Sequence, residues 1–217
     1  MADAAIMPPE SSPLPRRLLI AFGIIWLALA IRPWYRQDWL LENILVFVAI
    51  ALLVHYGRIR PFRDSTYVQL FAFFVLHEIG AHYTYSEVPY VDWIGAVTGQ
   101  DWPALEAARN HYDRVVHFAY GLLITPAAIE IFGRYGRYPP VWAWLFPLFF
   151  VSAHSVIYEM VEWAAALVFG GELGQAYLGT QGDVWDAQKD MALAGVGALL
   201  AIALAARRGH LPVLRRE

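Results

Sequence analysis

Residues 67–90 read YVQLFAFFVLHEIGAHYTYSEVPY. From Tyr67 to Leu76 the stretch carries no charge. His77, Glu78 and His82 then follow, with Glu87 beyond. The apolar part is long enough to be one arm of a membrane helix. Its polar end would be costly in hydrocarbon without partners, so the surrounding sequence must supply both a membrane setting and those partners.

The composition supplies the membrane. The chain has 217 residues, of which 59% are hydrophobic and 16% charged. Soluble domains carry roughly 25% charged residues. The 9 tryptophans suit an interfacial aromatic belt. There is no cysteine, which removes disulfides, thiolate catalysis and zinc–thiolate centres. A formal net charge of -3 is too small for a nucleic-acid partner, and no repeat of solenoid length is visible.

A spanning helix needs about 20 mostly apolar residues. Six segments qualify: 17–34, 38–57, 66–85, 112–133, 141–169 and 187–206. The expected fold is therefore an all-α membrane bundle of about six helices. A tail over 1–16, a single transmembrane domain over 17–206 and a tail over 207–217 complete the chain. Ala28-Leu29-Ala30 also reads as a signal cleavage site, but the first segment is expected to be retained, with Trp34 and Tyr35 as an interfacial anchor.

Lysine and arginine set the direction. With the N-terminus inside, the inner segments hold Arg16, Arg17, Arg58, Arg60, Arg63, Arg134, Arg137, Arg207, Arg208, Arg215 and Arg216. The outer segments hold only Arg32, Arg36, Arg109, Arg114 and Lys189. This asymmetry predicts both termini in the cytoplasm. It also predicts that several helices carry ionisable groups toward one outer face. These are Glu42 on helix 2; His77, Glu78 and His82 on helix 3; Asp113, Arg114 and His117 on helix 4; Glu159 and Glu162 on helix 5; and Asp183, Asp186, Lys189 and Asp190 at helix 6.

Spacing refines that picture. Residues three or four apart share a helix face, as do Glu78 with His82, Asp113 with His117, Glu159 with Glu162, and Asp186 with Asp190. A charge at the bilayer centre costs roughly 2.5–3.5 kcal/mol on insertion scales, so these groups need a common cavity, water or a ligand. The expectation is that Glu78, His82, Asp113, His117, Glu159, Glu162 and Asp186 face one cavity, with His77, Arg114, His154, Asp183 and Asp190 beside it. Each also has a plainer reading. Asp183 and Asp186 suit a helix N-terminus. His154 suits a packed core position. Arg114 calls for a carboxylate, with Glu78, Glu159 or Glu162 as the expected partner. The cluster as a whole could be an internal ion network.

Two sharper templates fail. His77 and His82 are one residue too far apart for HExxH, and five residues turn about 140°, off a shared face. No Gly-x-Ser-x-Gly elbow or phosphate loop appears. Histidine with carboxylates on facing helices remains, a ligand set suited to Zn, Mn or Fe. Glu78, His82, Asp113 and His117 are the expected metal ligands, and Glu78, Glu159, Glu162 and Asp186 the expected catalytic groups. In the outer loop, DWPALEAA reads as a short helix with Pro103 in its first turn, either interfacial or a lid. GGELGQAYLGTQGD reads as a flexible loop. Ala194, Gly195, Gly197 and Ala198 form a small-residue face for close packing.

HEIGAHYTYSEVPY, NHYDRVVHFAYGLL, EMVEWAAA and GTQGDVWDAQKDM resemble the YjdF-like family of bacterial inner-membrane proteins across most of residues 40–205. More distantly, Asp113-Arg114-x-x-His117-Phe118-x-Tyr120, followed by Glu159 or Glu162 and by Asp183, Asp186 and Asp190, is similar to VanZ-like membrane proteins. Asparagine and lysine in those proteins are aspartate and arginine here. The resemblance implies a multi-pass inner-membrane protein. Three functions compete. One is a metal-dependent enzyme acting on a lipid or lipid-linked headgroup. The second is an ion-coupled transporter, for which polar groups toward the inner face are sparse. The third is a non-catalytic binding or structural membrane protein.

Overall fold

The computed structural model describes residues 12–209 apart from 60–61, 107–108, 136–138, 140, 172–173 and 175–177. Most of the expected 1–16 and 207–217 tails, with Arg60, Arg137, His210, Arg215 and Arg216, therefore lies outside the described residues. So does part of the GGELGQAYLGTQGD loop. All regular structure among the described residues is helical: α1 (Leu14–Leu29), α2 (Arg36–Ile59), α3 (Asp64–Tyr83), a 3₁₀ turn (Tyr85–Glu87), α4 (Tyr90–Thr98), α5 (Pro103–Glu106), α6 (Tyr112–Tyr135), α7 (Trp142–Phe169) and α8 (Asp186–Arg207).

Four of these, α2, α6, α7 and α8, are long and apolar enough to cross a membrane. Their outer surfaces show why water is the wrong solvent. Leu52 on α2, Leu167 on α7 and Val196 on α8 are 63%, 67% and 53% exposed, and the neighbouring apolar residues form continuous faces of the kind soluble monomers avoid. The expected first span is shorter than its sequence pattern. α1 ends at Leu29 instead of residue 34 and has 16 residues, about 24 Å at 1.5 Å per residue. Trp34 and Tyr35 fall in the connection beyond it.

The connection has identifiable partners. The last carbonyls of a helix have no intrahelical donor. Here the Leu29 carbonyl lies 2.7 Å from His82 Nδ1, which must carry the proton because a carbonyl only accepts. Trp34 N–H donates to the His82 carbonyl at 2.9 Å, and Arg36 Nη1 donates to Ala30 at 3.0 Å. Thr84 then leaves α3 at φ 64°, a strained region for a β-branched residue, and its hydroxyl donates to Asp38 on α2. The ends of α1 and α3 and the start of α2 are thus tied together.

The closest helix pair is α6 with α8. Gly121 lies against the Ala194 carbonyl and Gly197 against the Phe118 carbonyl, where a Cβ on either glycine would meet backbone. Ala194 and Ala198 are fully buried beside Val151 of α7. The small-residue face thus packs as its composition suggests, except that Gly195 faces open space. In membranes such residues let backbones approach where no hydrophobic effect drives association. At the opposite end of the bundle, Glu130 accepts from Thr66 Oγ1 at 2.5 Å, from Arg63 N–H at 3.1 Å and from Arg134 at 2.9 Å. This fastens the start of α3 to the end of α6.

Candidate functional site

The close approach of α6 and α8 brings two polar stripes together. Asp113 and His117 lie one above the other at the start of α6, and Asp186 and Asp190 do the same at the start of α8. One carboxylate oxygen from each of Asp113, Asp186 and Asp190 lies within 4.8 Å of the other two, and all three residues are buried. α7 closes the third side. His117 Nε2 sits 3.4 Å from Asp113 Oδ1 and 3.4 Å from Glu159 Oε1. Glu162, one helical turn on, is buried beside Glu159. Asp190 Oδ1 and Glu159 Oε1 are buried without a hydrogen bond.

Two arginines border this group. Arg109 Nη2 lies 2.6 Å from Asp186 Oδ1 and also donates to the Gly179 carbonyl at 3.1 Å, while its Nη1 donates to Thr180 at 2.5 Å. Arg114 pairs with Asp183 and reaches Asp186 Oδ1 at 3.4 Å. Its partners are therefore the aspartates that precede and open α8, not Glu78, Glu159 or Glu162. One residue past Asp113, Arg114 is turned about 100° from it around α6, which brings it to the segment before α8. Asn110 and Gln181 exchange two further bonds of 2.8 and 3.1 Å. The NHYDR and GTQGD motifs are thus two halves of one clasp.

Asp183 lies in the loop outside the spans. It accepts from Lys189 at 2.5 Å and from the Trp185 N–H at 3.1 Å. The Lys189 bond, the Trp185 backbone bond and Arg114 hold its carboxyl down to about 2. Its bond to Trp185 closes a local turn before α8, so it does not cap the helix.

A second polar group adjoins the first through Tyr158 of α7. Tyr158 Oη donates to Glu42 on α2, 3.1 and 3.0 Å from the two carboxylate oxygens, and its ring meets the His117 ring edge-on at 5.7 Å. His77 Nε2 stands 3.8 Å from Glu42 Oε2, and Tyr85 Oη lies 2.6 Å from His77 Nδ1. Glu78 and His82 do share a face, but that face turns toward α1 and α2. Glu78 is fully buried against Asn43, with neither oxygen in hydrogen-bonding geometry. His82 is committed to Leu29. Of the expected cluster, the structure therefore gathers Asp113, His117, Glu159, Glu162, Asp186 and Asp190. It leaves Glu78 and His82 on another side, and His77 rather than His82 faces inward.

Below the polar groups lies an apolar cavity of about 340 Å³ between α2, α3, α6 and α7. His77, Tyr85, His117 and Tyr158 line one end of it. His154 also lines it, stacked on Tyr120 at 5.5 Å and near-parallel to Phe150 at 6.2 Å, but it is exposed on the outside of α7 and not in the packed core position its sequence context suggests.

Sequence reasoning placed Glu42 at the outer end of helix 2 but left it out of the site. The signal was there, since a glutamate inside LLENILVF obeys the same rule as Glu159. Arg109 registered only as a charge, and Tyr158, Tyr85 and Asn43 had no signal because they are not ionisable at neutral pH.

The family model described as "Predicted membrane protein (DUF2238)" matches residues 14–210. The Inner membrane protein YjdF of Escherichia coli (strain K12) is 37% identical over 183 residues, covering 83% of each chain. No solved structure matches. With a family match over nearly its whole length, a curated inner-membrane homologue and several helices able to span a bilayer, the chain belongs to the DUF2238 family and is a multi-pass protein of the bacterial inner membrane.

Proposed function

We propose that the buried carboxylates hold a divalent cation, and that the cation serves chemistry on a lipid or lipid-linked headgroup at the outer leaflet. The observation that carries this reading is the meeting of Asp113, Asp186 and Asp190 within 4.8 Å, with Asp190 Oδ1 and Glu159 Oε1 buried and unbonded. Arg109 and Arg114 offset Asp183 and Asp186. Asp113, Asp190, Glu159 and Glu162 remain, with the His117 imidazole 3.4 Å from both Asp113 and Glu159. Carboxylates in that excess, with one imidazole, suit Mn, Fe or Zn. Such an ion would polarise a phosphoryl or carbonyl oxygen, with Glu159 or Glu162 positioned to take a proton. Glu78, against Asn43, and His82, bonded to Leu29, have no part in the site proposed.

The topology belongs to the same proposal. α1 and α3 would cross with the other four, giving six spans and cytoplasmic termini. Support comes from α3 packing on α1, α2 and α6 and from the outward apolar face of α1, where Ile24 and Leu27 are 64% and 61% exposed. The polar groups then sit at the outer end. The more distant VanZ-like resemblance plays no part in this reading.

One observation favours a second reading. Asp186 already has Arg109 at 2.6 Å and Arg114 at 3.4 Å, as an ion network that only fixes helix packing would. The two separate on activity. Reconstituted protein, loaded with Mn²⁺ and given inner-membrane lipid extract, should release or alter a headgroup, and Asp190→Asn should abolish this while remaining folded. Lipids unchanged by the metal-loaded protein would remove the enzymatic reading.

A further inference from the structure

The cavity beneath the polar groups is lined mostly by apolar side chains, with Tyr120, His154 and Ser155 along it, and one end of it adjoins the carboxylate cluster. His117 and Tyr158 belong to both: each lines the cavity, and each touches a glutamate, the partly buried Glu159 and the buried Glu42 respectively. From His117 to Ile131 the α6 wall runs about 21 Å at roughly 1.5 Å per residue. That exceeds one leaflet of a hydrocarbon core about 30 Å thick. The volume of about 340 Å³ lies at the lower end of the roughly 300–1,000 Å³ usual for ligand pockets. One side is open. Val48 and Leu52 of α2 and Phe150 of α7 line the cavity yet are 53%, 63% and 42% exposed. The cavity therefore opens sideways between α2 and α7, where the protein faces lipid.

We propose that this cleft takes one acyl chain of a membrane phospholipid, entering between α2 and α7, so that the lipid's headgroup meets the His117–Tyr158 end. Three features select this occupant. The walls provide few polar groups except at the one end, so a uniformly polar ligand would lose its hydrogen bonds there. The opening faces the bilayer, so the ligand arrives from lipid. The length along α6 suits an extended chain. The inference rests on the reading of the carboxylates as a headgroup site, and it names the class of molecule that site would act on.

The test uses full-length protein in nanodiscs containing phosphatidylethanolamine with a photoactivatable diazirine midway along one acyl chain. Crosslinked residues are mapped by mass spectrometry in wild type, Leu52→Trp and Val48→Trp. Both substitutions fall at the exposed mouth and leave the buried packing alone. The expected result is labelling of interior positions such as Ala128 and Tyr120, falling roughly tenfold in the tryptophan variants. Excluding about two buried methylenes, at about 0.8 kcal/mol each, has an effect of that size. Labelling confined to outward positions such as Ile24 and Leu200, or interior labelling indifferent to both variants, overturns the proposal. Asp190→Asn separates the two ideas. Interior labelling that persists without metal binding or headgroup chemistry supports the chain site by itself, and loss of interior labelling in a chemically active wild type defeats the chain site alone.

Discussion

Arg109 Nη2 lies 2.6 Å from Asp186 Oδ1, which ties the segment before α6 to the first residue of α8. The side chains are only 12% and 5% exposed. Removing the guanidinium leaves a buried carboxylate short of its nearest cation, a loss of about 3–5 kcal/mol for pairs of this kind. His82 makes one bond to a backbone carbonyl, and losing it costs about 0.5–1.5 kcal/mol. Thermal melts in one detergent should place Arg109→Ala well below His82→Ala. The reverse order would mean that the clasp between the two loops is not what holds this end together.

The α6–α8 contact makes a sharper prediction about size. Gly197 and Gly121 have partner backbone where a side chain would go, and Gly195 has open space. Gly197→Ala should destabilise by about 1–3 kcal/mol, the usual cost of overpacking. Gly195→Ala should be neutral or slightly stabilising, because alanine is the better helix former by up to about 1 kcal/mol. Equal melting temperatures for the two variants would contradict the packing described.

Asp183 predicts an acid limb in stability. Lys189, the Trp185 N–H and Arg114 hold its folded carboxyl down to about 2, below the roughly 3.9 of an unfolded aspartate. A depressed carboxylate contributes fully above the unfolded value, and its contribution is lost as pH falls through the folded one. The Asp183 share should therefore fade between about pH 4 and pH 2. Melts of wild type and Asp183→Asn across that window should converge toward its acid end, with wild type the more stable above it. A constant gap between them would assign the effect elsewhere.

Orientation is open to direct measurement. A reporter fused after Glu217 should report the cytoplasm, and one inserted between Thr98 and Asp101 should report the periplasm. A periplasmic signal from the C-terminal fusion would place the carboxylates at the cytoplasmic face.

Much of this architecture was legible in the sequence because two periodicities carry it. Apolar length marked α2, α6, α7 and α8 to within a few residues, and the four-residue spacing of Asp113 with His117 and of Asp186 with Asp190 marked the stripes that meet. The end of α1 was not legible. Ile31, Trp34 and Tyr35 continue the apolar pattern, and only the capping bond from His82, distant in sequence, shows where the helix stops. HEIGAHYTY was misread for a related reason. Spacing says that Glu78 and His82 share a face, but not which neighbour that face meets. That depends on how α1 and α2 pack against α3, which leaves His77 turned toward Glu42. Arg114 was assigned to carboxylates of other helices because the loop before α8 has no periodicity to give its position.

The central claim is that Asp113, Asp186 and Asp190 hold a cation. Mn²⁺ titrated into chelator-stripped, detergent-purified protein and followed by electron paramagnetic resonance tests it most directly. The account predicts saturable binding of about one ion per chain, weakened by at least roughly tenfold in Asp113→Asn and Asp190→Asn and unchanged in His82→Ala. Wild-type protein that shows no saturable binding, or binds no better than the two aspartate variants, would contradict it.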